Sequence, residues 1–456
     1  MAVVWAKTAL TADGWVHGVR VEIGADGRIA ALTPGCVAQA EDTRVSLLLP
    51  APANAHSHAF QRAMAGLTER RGERPQDNFW TWRQLMYRFL DELTPEHVEA
   101  IAALVQMEML EAGFGACVEF HYLHHQADGT PYDDLAEMSS RIAAAAGSTG
   151  LGLTLLPVLY QFGGCDQRPL SRGQVRFGND INRYQRLLDG AAAALRSLGA
   201  DAVLGVAPHS LRAVAQEDLR AVSAILPGSP IHIHVAEQIP EVAEVEEAWG
   251  ARPVSWALDN LALNPLWCLI HATQMEPAET HRLAATGAVA GLCPITEASL
   301  GDGVFDGVRF VNAGGRMAVG SDSNIRISLA EEMRQLETSQ RLRDHSRAAL
   351  ADADRSTGRR LFDALTLGGA QAAGRGSGCL RVEGWADLLA LDMAHIDLEG
   401  LGGDTVLDAF IFAGSNEMVQ DVWSAGRHLV KAGQHVKRDE IVARYQAAVR
   451  RLRAGL

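Results

Sequence analysis

Eight short apolar or β-branched runs, each ending in polar residues, set the tightest limit on what this chain can fold into. They are Leu48–His58, Ala116–His121, Leu153–Tyr160, Val203–His209, Ile231–Glu237, Cys268–His271, Val289–Cys293 and Met317–Asp322. Helical patterns fill most of the gaps. Thr94–Gly113 is one, with Thr94 as N-cap, Pro95 in the first turn and Gly113 as the stop. Strands alternating with helices predict a parallel sheet, and eight of them predict an α/β fold of the (β/α)8 barrel type. Barrels of this kind keep their functional groups at the C-terminal ends of the strands. Here those ends carry His56, His58, His121, His209, His234, Glu237, His271 and Asp322.

The two chain ends read differently. Ala2–Trp5, Val16–Ile23 and Ile29–Leu32 read as short strands separated by turn signals such as Ala25-Asp26-Gly27. Ala386–Asp392, Ala409–Phe412, Val419–Ser424 and His428–Lys431 read likewise. The expectation is a small β-sandwich domain built from residues 1–48 and 376–440, a barrel over 49–375, and a closing helix over 441–456. That helix follows from the spacing of Ile441, Tyr445, Val449 and Leu452.

Charge and composition narrow the function classes. The formal net charge is −14, which argues against nucleic acid and anionic membranes as partners. Neither a signal peptide nor an apolar run of membrane-spanning length is legible, so a cytoplasmic protein is expected. Cys36, Cys117, Cys165, Cys268, Cys293 and Cys379 form no CxxC pair and read as reduced thiols. The lysines are Lys7, Lys431 and Lys437, all near the chain ends, and arginine does the other basic work.

His56-Ser57-His58 puts two imidazoles on one side of an extended segment, because side chains alternate with period two. Two nitrogen ligands that close suit a borderline divalent metal such as zinc. An HxH pair alone is a weak signal. In His232-Ile233-His234, His234 is the one nearer Glu237 at the strand end and is taken as the candidate, and His232 reads as a packed neighbour. Asp322 adds an anionic oxygen after the eighth run, although an isolated aspartate there also reads as a helix N-cap. The signal lies in the joint pattern on strands one, five, six and eight.

That pattern resembles the amidohydrolase superfamily, whose fold is a distorted (β/α)8 barrel with a small β-sandwich from both chain ends. The resemblance covers nearly the whole chain, including Gly384-Trp385-Ala386-Asp387-Leu388 at the return into the sandwich. Some members bridge two metals with a carboxylated lysine. No lysine lies between residues 8 and 430, so that bridge is impossible here and one metal is expected. The resemblance implies His56, His58, His234 and Asp322 as ligands of one divalent ion, zinc by preference. It implies His271 as the contact to the hydrolytic water. In the deaminating branch, an acid three residues after the third histidine shuttles a proton to the nitrogen of the scissile C–N bond. Glu237 holds that position; by itself it also reads as a charge at a helix start. Asp322 is then expected to take the water proton and His271 to stabilise the attacking oxygen.

Within the superfamily, Asn54–Leu67, Phe79-Trp80-Thr81-Trp82-Arg83, Glu119-Phe120-His121-Tyr122, His209-Ser210-Leu211-Arg212 and Leu292–Gly303 resemble the formiminoglutamate deiminase group. Ring deaminases more usually carry Cys-Pro-x-Ser-Asn where this chain has Thr296-Glu297. The resemblance implies a small linear dicarboxylate with an amidine-like HN=CH–NH group, whose terminal nitrogen is released as ammonia, and a homodimer. Two carboxylates call for arginines, whose planar fork binds them bidentately. Arg83 and Arg212 are the candidates, Arg212 for the α end and Arg83 for the distal one. Gln61, Tyr122 and His209 are the expected hydrogen-bond donors. Arg83 also reads as a residue stacked in an aromatic patch, and His-Ser-Leu-Arg as a helix opening. His121, His124 and His125 are read as structural. Asn324 stands where the group often has histidine, with an effect the sequence leaves open. The competing readings are a heterocycle deaminase, a ring-opening amidohydrolase and a non-catalytic metal-binding barrel.

Overall fold

A computed structural model describes residues 2–69 and 79–454; the side chains of residues 79–84 lie outside the description. Eight strands from the two chain ends form one mixed sheet. From the start come β1 (Ala2–Thr11), β2 (Gly14–Ile23), β3 (Ile29–Thr33) and β4 (Thr43–Pro50). The parallel body follows with β5 (Ala53–Ser57), β6 (Ala116–His121), β7 (Gly152–Leu159), β8 (Val203–Leu204), β9 (Ala207–Pro208), β10 (Ile231–Val235), β11 (Trp267–His271), β12 (Val289–Leu292) and β13 (Arg316–Val319). The return contributes β14 (Leu388–Leu391), β15 (Val419–Ser424), β16 (Arg427–Lys431) and β17 (Gln434–His435).

The mixed sheet runs β17-β16-β15-β14-β4-β1-β2-β3, and β4 joins β14 antiparallel across the two chain ends. Period-two alternation explains how both its faces are buried. Leu48, Leu388 and Ala390 face one core with Val4, Val19 and Trp423. Leu47, Leu49, Leu389 and Leu391 face the other way, into the main core. The sequence patterns Leu47-Leu48-Leu49 and Leu388–Leu391 are therefore unbroken apolar runs, as two-sided strands require.

In the parallel body, β5-β6-β7-β8 and β10-β11-β12-β13 form two arcs, with β9 paired to β7. Parallel bridges join the arcs along both edges, Ser57 to Asp322 on one side and Val206 to Ile231 and Ser210 to His234 on the other. Every one of β5, β6, β7, β10, β11 and β12 is buried along its length, the mark of a sheet covered by helices. The helix expected at Thr94–Gly113 spans Pro95–Glu111, with Thr94 as the N-cap accepting from His97 N. The last helix spans Arg438–Ala454 and begins before the expected Ile441.

Three readings change. The run Leu48–His58 divides, since β4 belongs to the mixed sheet and β5 to the parallel body. Pro50 and Pro52 break the chain between them. Val203–His209 holds two short strands rather than one. A Cβ at the intervening Gly205 would lie 2.4 Å from Leu156 Cδ2 and 2.7 Å from Pro230 O, so the backbone passes its neighbours closely there. Ala409–Phe412 ends a helix, Asp404–Phe412, instead of forming a strand. Its buried residues Val406, Leu407, Phe410 and Ile411 recur at helical spacing, a pattern that outweighs the β-forming character of the last three residues.

A buried ion network ties the two sheets together. Arg375 Nε and Nη2 donate to both oxygens of Asp387 at 2.6 and 2.9 Å, and Nη2 also donates to Asp201 Oδ2 at 3.0 Å. Arg427 Nη2 reaches the same Asp201 oxygen at 2.6 Å. Arg375→Met is expected to cost about 3–5 kcal/mol, because it leaves the buried Asp387 carboxylate without its arginine. Denaturant melts of the two proteins check this; a loss under about 1 kcal/mol would remove the network from the account of stability.

Candidate metal centre

The first strand delivers two ligands. β5 ends at Ser57, and the bridge from Ser57 to Asp322 carries hydrogen bonds from Asp322 N to His56 O (3.0 Å) and from His58 N to Asp322 O (2.9 Å). Gly320 makes this approach possible, since a Cβ there would sit 2.5 Å from His56 N and 2.6 Å from His56 O. The two nitrogens His56 Nε2 and His58 Nε2 lie 3.2 Å apart, and His234 Nε2 lies 3.1 Å from His56 Nε2. Asp322 Oδ1 is 3.3 Å from His58 Nε2 and 3.6 Å from His56 Nε2. The four residues predicted as ligands from sequence are thus brought together, with His232 turned away to Ala372 O at 2.8 Å.

The donor set fits a divalent cation. His58 Nδ1 sits 2.8 Å from Phe120 O and His234 Nδ1 3.1 Å from His209 O. A carbonyl can only accept, so both Nδ1 atoms carry the proton and both Nε2 lone pairs face the cluster centre. Burial holds His58 down to about 3, and burial with the neighbouring imidazoles holds His56 and His234 well below the usual range. Neutral imidazoles with converging lone pairs are what a metal ion requires and what uncompensated packing would avoid. Phe120 packs its ring against His56, His58 and His234 at 5.1, 5.5 and 4.4 Å between centroids, keeping water from the ligands' backs.

Beside the histidines lies an acid cluster. His271 Nε2 is 3.9 Å from Glu237 Oε1 and 4.0 Å from Asp322 Oδ2. Its Nδ1 lies 3.2 Å from Glu297 Oε1, which also accepts from Cys293 N at 2.8 Å. Burial works against charge on His271, but Glu237, Glu297 and Asp322 outweigh it and hold the imidazole up at about 10. Burial pushes Asp322 up to about 7, and burial with Glu241 and Glu297 raises Glu237. A cation among these groups favours the ionised form of Asp322.

Backbone strain collects at these strand ends. Ala236, His271, Ala272, Asp322 and Asn324 have φ of 52°, 66°, 47°, 45° and 56°, in the left-handed region that non-glycine residues avoid. Asn324 is one of the restraints. Its side chain donates to Ser57 Oγ and Asp322 O at 3.1 and 2.9 Å and accepts from Ser321 Oγ at 2.6 Å. An asparagine therefore stitches the strand carrying Asp322 to the one carrying His56 and His58.

The cluster opens into a cleft. His58, Gln61, Tyr122, His209, Arg212, His234, Glu237, His271 and Asp322 line it, with Thr296 and Leu300. Gln61 Nε2 donates to Tyr122 OH at 2.8 Å. Arg83 belongs to the helix Phe79–Asp91, but its side chain lies outside the described residues. His121, His124 and His125 pack behind the cleft, His124 on Val158 O and His125 on Gly178 O. Glu297 and Phe120 carry weight that residue-type reasoning assigned to neither. Glu297 was visible only as half of Thr296-Glu297.

Residues 47–429 match the family model described as the amidohydrolase family, and residues 1–46 match that described as "Formimidoylglutamate deiminase HutF, N-terminal domain". A formimidoylglutamate deiminase of Pseudomonas aeruginosa is 47% identical over 437 residues, covering 95% of this chain and 96% of its own. The crystal structure of an amidohydrolase from Brucella melitensis superposes with a TM-score of 0.95 at 47% identity, over 99% of this chain and all of that one. An adenosine deaminase from Xanthomonas campestris with bound zinc shares the fold, with a TM-score of 0.82 at 22% identity over 99% of this chain and 98% of its own.

Proposed function

The chain belongs to the amidohydrolase family and, within it, to the formimidoylglutamate deiminases; on that premise we propose that it hydrolyses N-formimino-L-glutamate to N-formyl-L-glutamate and ammonia, in histidine degradation. The observation that carries the reading is one cleft in which three convergent imidazoles, the acid cluster of Glu237, His271 and Asp322, and the cation of Arg212 meet.

His56, His58, His234 and Asp322 would hold a divalent ion, which we take to be zinc; when bound it would supply the Lewis acidity that activates water near neutral pH. Asp322 accepts the proton of the attacking water and His271 stabilises the oxygen as it gains charge. The oxygen adds to the formimino carbon as Glu237 delivers a proton to the imino nitrogen, leaving a tetrahedral carbon that carries OH and NH2. The hydroxyl proton and the one held by Asp322 then give that nitrogen its third hydrogen and restore the Glu237 acid, and the C–N bond breaks as the C=O bond forms. Ammonia leaves, and the carbon remains as the formyl group. Glu297 keeps the His271 ring oriented throughout. Arg212 pairs with one substrate carboxylate, and Arg83 with the other. Gln61, Tyr122 and His209 fix the amidine between them. Among the described residues no helix is long and apolar enough to cross a membrane, in keeping with a cytoplasmic enzyme.

The heterocycle reading is tested by ammonia release. Zinc-loaded protein given N-formimino-L-glutamate, adenosine or guanine is expected to turn over the first at least about 10³-fold better in kcat/KM. A site built to pair two carboxylates rejects ligands that lack them. A preference for either purine would move the chain to the ring deaminases.

A further inference from the structure

Glu237 stands on a turn that resists its own conformation. β10 ends at Val235, and Ala236 follows with φ of 52°, a strained angle for a residue with a Cβ. The strain aims Glu237 across the cleft at His271. Something must hold it, and the structure supplies one side chain that does. Glu241 Oε1 accepts from Ala236 N at 3.1 Å, and Glu241 Oε2 accepts from Glu237 N at 2.9 Å. Both oxygens of one carboxylate thus grip the two successive amides that set the direction of Glu237. Glu241 is fully buried, in the first turn of the helix Ile239–Trp249, where the helix dipole favours an anion. The same turn is joined to the one carrying His271, through Ala272 N to Val235 O at 3.0 Å and Gln274 N to Ala236 O at 2.9 Å.

We propose that Glu241 is a positioning residue for Glu237, locking the strained Ala236-Glu237 turn so that the acid meets the scissile nitrogen. The inference rests on the reading of Glu237 as the acid. Two backbone donors need two acceptors, so glutamine cannot replace Glu241; its amide nitrogen would confront one of the N–H groups. A misdirected acid weakens the proton transfer and leaves substrate binding to Arg212 and Gln61 intact.

The test is a cycle of wild type, E241Q, E237Q and the double variant, on the zinc-loaded chain with N-formimino-L-glutamate. E241Q is expected to lower kcat about 100-fold with KM within about threefold. In the E237Q background the same change is expected to alter kcat by less than about threefold, because there is no acid left to aim. An equal loss in both backgrounds overturns the proposal, since it marks general damage. A fully active E241Q beside an inactive E237Q overturns this inference alone, whereas a fully active E237Q overturns the parent reading as well. Should E241Q fail to fold, hydrogen exchange on the wild type decides: protected amides at Ala236 and Glu237 support the grip, and loop-like exchange at both removes it.

Discussion

Glu237→Gln is expected to lower kcat by about 10²–10⁴-fold while the protein keeps its metal and its fold. Glutamine has the shape of glutamate and still donates a hydrogen bond, but it has no proton to give to a leaving nitrogen. Without that proton the leaving group is an amide anion, the poorest available in water. Glu237 lies 3.9 Å from His271 and lines the cleft, so substitution by an isosteric glutamine should not spread. Steady-state kinetics with elemental analysis separates the effects. Near-normal turnover at full metal content would strip Glu237 of its role.

The second large effect follows from the metal cluster. Dialysis against a chelator is expected to abolish activity, and zinc should restore it with saturation at one equivalent per chain. Magnesium should not, because it prefers oxygen ligands and an octahedron of waters to three imidazoles. The single equivalent comes from the absence of lysine between residues 8 and 430, which leaves no residue for a bridging carbamate. His234→Ala should abolish restoration, since it removes one of three nitrogens that lie within about 3 Å of a neighbour. Saturation at two equivalents would contradict the mononuclear assignment.

The candidate metal centre was legible in the sequence because its residues fall at strand ends, where polar punctuation marks them. The resemblance selected His56, His58, His234 and Asp322, and the place of His234 nearer the strand end and Glu237 set His232 aside. The parts that hold the ligands left weaker traces. Glu241 and Glu297 are acidic residues at helix starts, which composition alone reads as solvated charge. Only their hydrogen bonds to Glu237 N, Cys293 N and His271 reveal them as braces. The positive φ values at Ala236, His271 and Asp322 could not be read at all, because no glycine advertises them. Asn324 looked like a departure of unknown effect until its bonds to Ser57 and Asp322 were seen. The errors in the fold have the same local origin. Ala409–Phe412 is too short for its composition to decide between strand and helix, and the helical spacing of Val406 and Leu407 decided it.

The most direct test is the identity of both products formed from N-formimino-L-glutamate by the zinc-loaded protein. The account predicts ammonia and N-formyl-L-glutamate in equal amounts, because Glu237 protonates the terminal imino nitrogen. Glutamate and formamide in place of them would mean that the other C–N bond breaks, and would contradict the assignment of Glu237 to the terminal nitrogen.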